Sequence, residues 1–317
     1  MKKITAIILA AMLLLSLTAC GGAQEDGKYV VGICQLIKHD ALDAATQGFM
    51  DALKEELGDR VEFKLENASG DSNTCSTIVN TFVNDNVDLI LANATPALQA
   101  AASATGEIPI LGTSITEYGV ALEIEGFNGT VGGNISGTSD LAPLDEQAAM
   151  LVELFPDAKN VGLLYCSAEA NSTYQVETVK TELEKKGITC TLYPFADTND
   201  LQAVVQKAAD VSDVIYVPTD NQCASAGETI DGVCRDAGVP IISGEENACA
   251  LFGAATLTIS YYDLGVTTGK MAAQILKGEA DIATMPIAYA DATKKYNKEI
   301  CDDLQLTIPE GYTPIGQ

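Results

Sequence analysis

Short apolar runs alternate with longer segments of helical period along most of this chain. Residues 29–36 (YVVGICQL), 61–65 (VEFKL), 87–92 (VDLILA) and 108–111 (IPIL) read as buried strands. Between the first two, Leu42, Phe49, Met50, Leu53 and Leu57 recur at helical spacing, and Asp40 is the expected cap of that helix. Residues 75–83 predict a second helix. An alanine-rich third begins at Pro96, where a missing N–H costs nothing. The alternation predicts a parallel sheet covered by helices on both faces. A change comes at residues 134–143 (NISGTSDLAP), read as a crossing into a second lobe. There the pattern resumes, with helices at 147–154, 169–183, 201–209 and 225–237 and strands at 161–165, 188–193, 214–217 and 240–242. An apolar run (253–259), an amphipathic helix (261–276, ended by Gly278) and residues 287–289 follow. The two halves share a layout but no sequence repeat.

This reading predicts an α/β chain of two lobes, each a wound parallel sheet. Polar residues recur where strands give way to helices. Open α/β sheets bind ligands at such edges, and free N–H groups at a helix start favour an anion. The candidates are Gln35, Asn93, Thr95, Ser114, Thr116, Asp140, Asn171, Asp220, Asn221 and Glu245. Each has a plainer reading as a helix cap or solvated loop residue. Asp220 stands out because TDN directly follows the VIYVP strand.

The amino terminus, MKKITAIILAAMLLLSLTACGG, has two lysines, an apolar run and small residues leading to Cys20. It reads as a secretion signal over 1–19, with Cys20 in a lipobox and residues 20–28 as a lipidated tether. Counted from Cys20, 16 basic residues face 44 acidic ones, a formal charge of −28. With no basic cluster to offset it, such a surface excludes nucleic acid. Eight further cysteines are read as buried and unbridged, since several lie in strand-like runs and the domains are too large to need staples. No C-x-x-C occurs and His39 is the single histidine, so no metal centre, cofactor or catalytic triad is expected. His39 itself reads as a surface residue. No dinucleotide fingerprint or P-loop is present. Of the 18 aromatic residues, Tyr118, Phe127, Tyr165 and Phe252 would have to wall a stacking site, and each reads more simply as core.

Several stretches carry a family likeness: KHDALDAATQGF (38–49), VDLILANATPALQAA (87–101), GTSD (137–140), VGLLYCSAEANS (161–172), IYVPTDN (215–221) and ISYYDLGVTTGKMAAQILKGE (259–279). In order and across nearly the whole exported chain, they resemble the substrate-binding lipoproteins of ABC importers, specifically the tryptophan- and aromatic-amino-acid-binding family. The resemblance implies a type I periplasmic-binding-protein fold with three hinge crossings. It places residues 29–137 with 248–284 in lobe 1 and 138–247 with 285–317 in lobe 2. It also implies a lipid-anchored monomer on the outer face of the cytoplasmic membrane, serving a permease and ATPase and catalysing nothing. A zwitterionic amino acid suits the corners, its carboxylate at Thr95 and Ser114 and its ammonium at Asp220 or Asp140. A nucleoside, sugar or peptide fits the same architecture. An exported hydrolase, or a sensory or adhesive lipoprotein, is the alternative of another class.

Overall fold

The structure, a computed structural model, describes residues 27–316. The secretion signal, Cys20 and most of the tether lie outside the described residues. The first half supplies β1 (Tyr29–Gln35), α1 (Asp40–Leu57), β2 (Val61–Asn67), α2 (Ser72–Asn84), β3 (Leu89–Asn93), α3 (Thr95–Ala104), β4 (Ile110–Ile115), α4 (Tyr118–Ala121) and β5 (Ile135–Ser139). The second half continues with α5 (Leu144–Leu154), β6 (Asn160–Cys166), α6 (Ala170–Lys185), β7 (Thr189–Phe195), α7 (Thr198–Ala209), β8 (Val214–Val217), α8 (Asn221–Ser225), α9 (Gly227–Ala237), β9 (Ile241–Ser243) and α10 (Glu246–Phe252). The chain closes with β10 (Ala255–Thr258), α11 (Tyr261–Leu276), β11 (Ala288–Tyr289), β12 (Thr293–Tyr296), α12 (Lys298–Asp303) and β13 (Thr313–Pro314).

These strands form two sheets, β11-β5-β4-β3-β1-β2 and β13-β12-β10-β9-β8-β6-β7. Every pairing is parallel except that of β10 with β12. The expected two-lobed architecture is present. Burial explains the continuous apolar runs: all five residues of β3 and all four of β8 lie between helix layers. Each sheet has its own cores, centred on Cys34, Phe82, Ile90 and Leu98 in the first and on Leu163, Val179 and Tyr216 in the second.

Several expectations about the connections need correction. Residues 253–259, expected in lobe 1, supply β10, which pairs with β9 in the second sheet. Residues 287–289, expected in lobe 2, supply β11, which pairs with β5 in the first. Since β5 also belongs to the first sheet, the first crossing falls after Ser139 rather than after Gly137. A short apolar strand carries no mark of the sheet it will join, and that is why these assignments shifted. The helix 261–276 does join the first lobe. There α11 lies against α1 so closely that a Cβ added to Gly265 would meet the carbonyl oxygen of Ala45. The residue capping α1 is His39, with no side-chain bond, and Asp40 occupies the first helical position instead.

Candidate ligand-binding site between the lobes

All ten candidates are buried. Six buried side-chain polar atoms lack a partner among the described residues, and four belong to candidates: Asn93 Oδ1, Ser114 Oγ, Asp140 Oδ1 and Asn171 Oδ1. Buried polar groups in folded proteins are nearly always paired, so these four atoms stand out among the candidates.

The first lobe contributes the corner between β3 and α3. Asn93 stands opposite Thr113 in the β3–β4 register, and Thr95 opens α3 with Pro96 behind it. The first backbone bond into the helix is Leu98 N to Ala94 O, so the N–H groups of Thr95 and Ala97 precede the intrahelical ladder. Ala94 has φ of 91° and Ser114, at the end of β4, has φ of 56°. Non-glycine residues in this region cost about 1–3 kcal/mol each and cluster at functional sites. Asn93 is held from behind, its Nδ2 donating to Leu42 O and Thr46 Oγ1, both at 2.9 Å.

Gln35 is spent inside the lobe. Its Nε2 donates to Ile37 O and Asp43 Oδ1, and its Oε1 accepts from Thr46 Oγ1. The residue thereby joins α1 to the sheet.

The crossings bring Thr116, Asp140 and Tyr261 together. Tyr261 OH donates to Asp140 Oδ2 at 2.7 Å. Burial raises the Asp140 pKa, and hydrogen bonding only partly opposes it. Asp140 Oδ1 has no hydrogen-bond partner among the described residues.

The second lobe holds a carboxylate pair. Asp220 caps α8 through Cys223 N (2.8 Å) and also accepts from Cys166 N (2.6 Å), so both of its oxygens are engaged. Glu169, absent from the candidates, accepts from Asn221 N, Asn221 Nδ2 and Gln222 N. Burial, then the neighbouring Asp220 charge, raises its pKa. Asn171 donates to Thr219 O at 3.1 Å, leaving Oδ1 unpaired. Glu245 caps α10 by accepting from Asn247 N and Ala248 N, and burial pushes it up to about 7.

Sequence reasoning missed Glu169 because it reads as the opening of a long helix. Its place between a strand end and the polar pair Asn171-Ser172 was the available signal. His39 is no plain surface residue either: its Nδ1 is buried, and its Nε2 lies 3.2 Å from Asn221 Oδ1 of the opposite lobe. Tyr118, Phe127, Tyr165 and Phe252 all lie in or against the lobes' cores.

A family profile described as ABC transporter substrate binding protein matches residues 30–313. The chain belongs to this family. It is a substrate-binding component of an ABC transporter. A tyrosine-binding protein of Clostridioides difficile (strain R20291) is 32% identical over 314 residues, covering 92% of this chain and 89% of its own. A Streptococcus pneumoniae domain solved in complex with L-Trp is 33% identical, with a TM-score of 0.86 over 90% of this chain and 100% of the other. The ligand-free, open structure of a Clostridium difficile substrate-binding protein with adhesive properties is also 33% identical, but its TM-score is 0.68 over 90% of this chain and 99% of the other. At equal identity, this substrate-binding protein superposes better on the L-Trp complex than on the open form. Among its described residues, no helix is long and apolar enough to cross a membrane.

Proposed function

We propose that this substrate-binding protein receives an aromatic amino acid between its lobes and hands it, unchanged, to a membrane permease driven by an ATPase. The observation that carries the reading is Asp140 Oδ1, a buried carboxylate oxygen without a donor at the hinge crossing. Asn93 Oδ1 and Asn171 Oδ1 are likewise unpaired acceptors, and none of the ten candidates is cationic. A ligand that satisfies them must bring hydrogen-bond donors, and an ammonium group does while also matching the carboxylate charge. Its carboxylate then meets the N–H groups of Thr95 and Ala97 and the hydroxyl of Ser114, at the positive end of α3. Asp220 and Glu245 serve as caps and shape the site from behind. The aromatic preference is supported by the relatives named for tyrosine and solved with L-Trp.

On this reading the rigid units follow the sheets, roughly 29–139 with 261–289 and 141–258 with 293–314. The protein works as a monomer tied by a lipidated Cys20 to the outer face of the cytoplasmic membrane. Calorimetry of ligand-stripped protein against L-tyrosine, L-tryptophan, L-phenylalanine, nucleosides and sugars tests it. Saturable binding of one of the three amino acids is expected. Binding confined to a nucleoside or sugar would overturn the assignment.

A further inference from the structure

Two consecutive residues at the start of α8 reach across the cleft. Asn221 Oδ1 lies 3.2 Å from His39 Nε2, and the side-chain amide of Gln222 donates to Gly70 O at 3.3 Å. His39 begins α1 and Gly70 sits in the turn after β2, so both contacts join lobe 2 to lobe 1. Glu169 holds the reaching pair from behind. Its carboxylate accepts from Asn221 N at 3.3 Å, Asn221 Nδ2 at 2.5 Å and Gln222 N at 3.2 Å.

This wiring fixes the polarity of the bridge. The Asn221 amide spends its donor end on Glu169, so its oxygen faces the histidine. His39 must then donate through Nε2 and leave Nδ1 unprotonated, and Nδ1 is buried without a partner. Gly70 has φ of 83°, a conformation that favours glycine, and a Cβ there would come within 2.8 Å of Gln222 Nε2 and push the bridging amide aside.

We propose that Glu169, Asn221 and Gln222 form a latch that clasps lobe 1 at His39 and Gly70 and sets the fraction of molecules held closed. They act as positioning residues: the Asn221 amide, a candidate in the sequence, is spent on Glu169 and His39 and that of Gln222 on Gly70, so they retain the ligand by keeping the cleft shut. The proposal rests on the reading of this protein as a closing receptor. Apparent affinity scales with the fraction in the competent state, so weakening the latch weakens binding of every ligand alike.

The latch is also sensitive to acid. The groups facing His39 are Lys38, Asp40 and Asp43 on its own segment, Glu228 of α9 and the Glu245 cap lining the same groove, and Glu169 behind Asn221. Burial lowers the imidazole pKa and outweighs the opposing Asn221 bond and the Asp43 and Asp40 charges. A group whose pKa falls on closure binds fewer protons when closed. The latch is therefore at full strength above about 6.5, the ordinary histidine value, and weakens as pH falls below it.

The test uses full-length exported protein with L-tryptophan and L-tyrosine as probes, and both equilibrium affinity and dissociation rate are measured. Gln222→Ala and His39→Ala are each expected to raise Kd about five- to ten-fold, the loss of one net hydrogen bond, mainly through faster release. His39→Gln keeps an N–H for Asn221 and cannot titrate, so it should recover most of the affinity and remove the loss below pH 6.5. Because His39 is the single histidine, its imidazole resonances read the tautomer directly, and proton on Nε2 is expected with probe bound. Wild-type Kd in both alanine variants, an acid-side loss that persists in His39→Gln, or proton on Nδ1 would overturn the latch. If adenosine or glucose binds and neither amino acid does, the ligand reading fails, and the same variants decide the latch with that solute.

Discussion

Asp140 and Asp220 are both buried aspartates at polar corners, yet their surroundings give them opposite duties. Asp220 has backbone donors on each oxygen, whereas Asp140 keeps one oxygen bare. Asp140→Asn should therefore cut affinity for L-tryptophan or L-tyrosine by at least tenfold, since a hydrogen bond to a charged group is worth about 1.5–3 kcal/mol. The same change should leave the thermal midpoint unchanged or raised, because a neutral amide avoids desolvating a carboxylate. Calorimetric titration and a melting curve check the two halves. Asp220→Ala should show the reverse, losing about 1–3 kcal/mol in urea unfolding as the amides of Cys166 and Cys223 lose their acceptor. The sequence marked both residues as candidates and favoured Asp220, whose two oxygens the structure instead engages with backbone amides. What separates them is the donor supply from Cys166, 54 positions away, and no local pattern encodes that.

Among the elements, those with a long repeating pattern were legible and those defined by partners were not. The β3–α3–β4 unit declares itself through an apolar run, a proline-started helix and a second run, each settled by local chemistry. The two-residue β11 and four-residue β10 are too short to declare a partner, and their sheets are chosen by edges formed elsewhere. The α1–α11 contact is another case: Gly48, Gly265 and Gly269 look like helix-weakening residues in sequence, yet they let two backbones touch. Gly265→Val should cost about 1–3 kcal/mol or more by overpacking, measured by chemical denaturation. It should do so without altering the ligand corners, so affinity per folded molecule stays within twofold.

At the scale of the molecule, the buried acids govern response to pH. Glu245 is pushed from an ordinary 4.5 up to about 7 by burial. A carboxyl whose folded pKa is raised binds more protons folded than unfolded between those values. Its stabilisation is complete below about 4.5 and is lost as pH rises through about 7. Scanning calorimetry of the ligand-free protein should show a higher midpoint at pH 5.5 than at pH 8, and Glu245→Gln should flatten that slope. Bound amino acid should offset the loss, adding about 2.7 kcal/mol at a hundredfold excess over Kd.

The return of α11 and β11 to the first sheet bears on the order of synthesis. The amino-terminal lobe leaves the ribosome first, but the helix that covers α1 and the strand that seals its edge are made only after most of the other lobe. The early half must wait, unfinished and with apolar surface open, until residue 289 has been made. A chain cut near residue 250 would lose its older lobe as surely as its younger one.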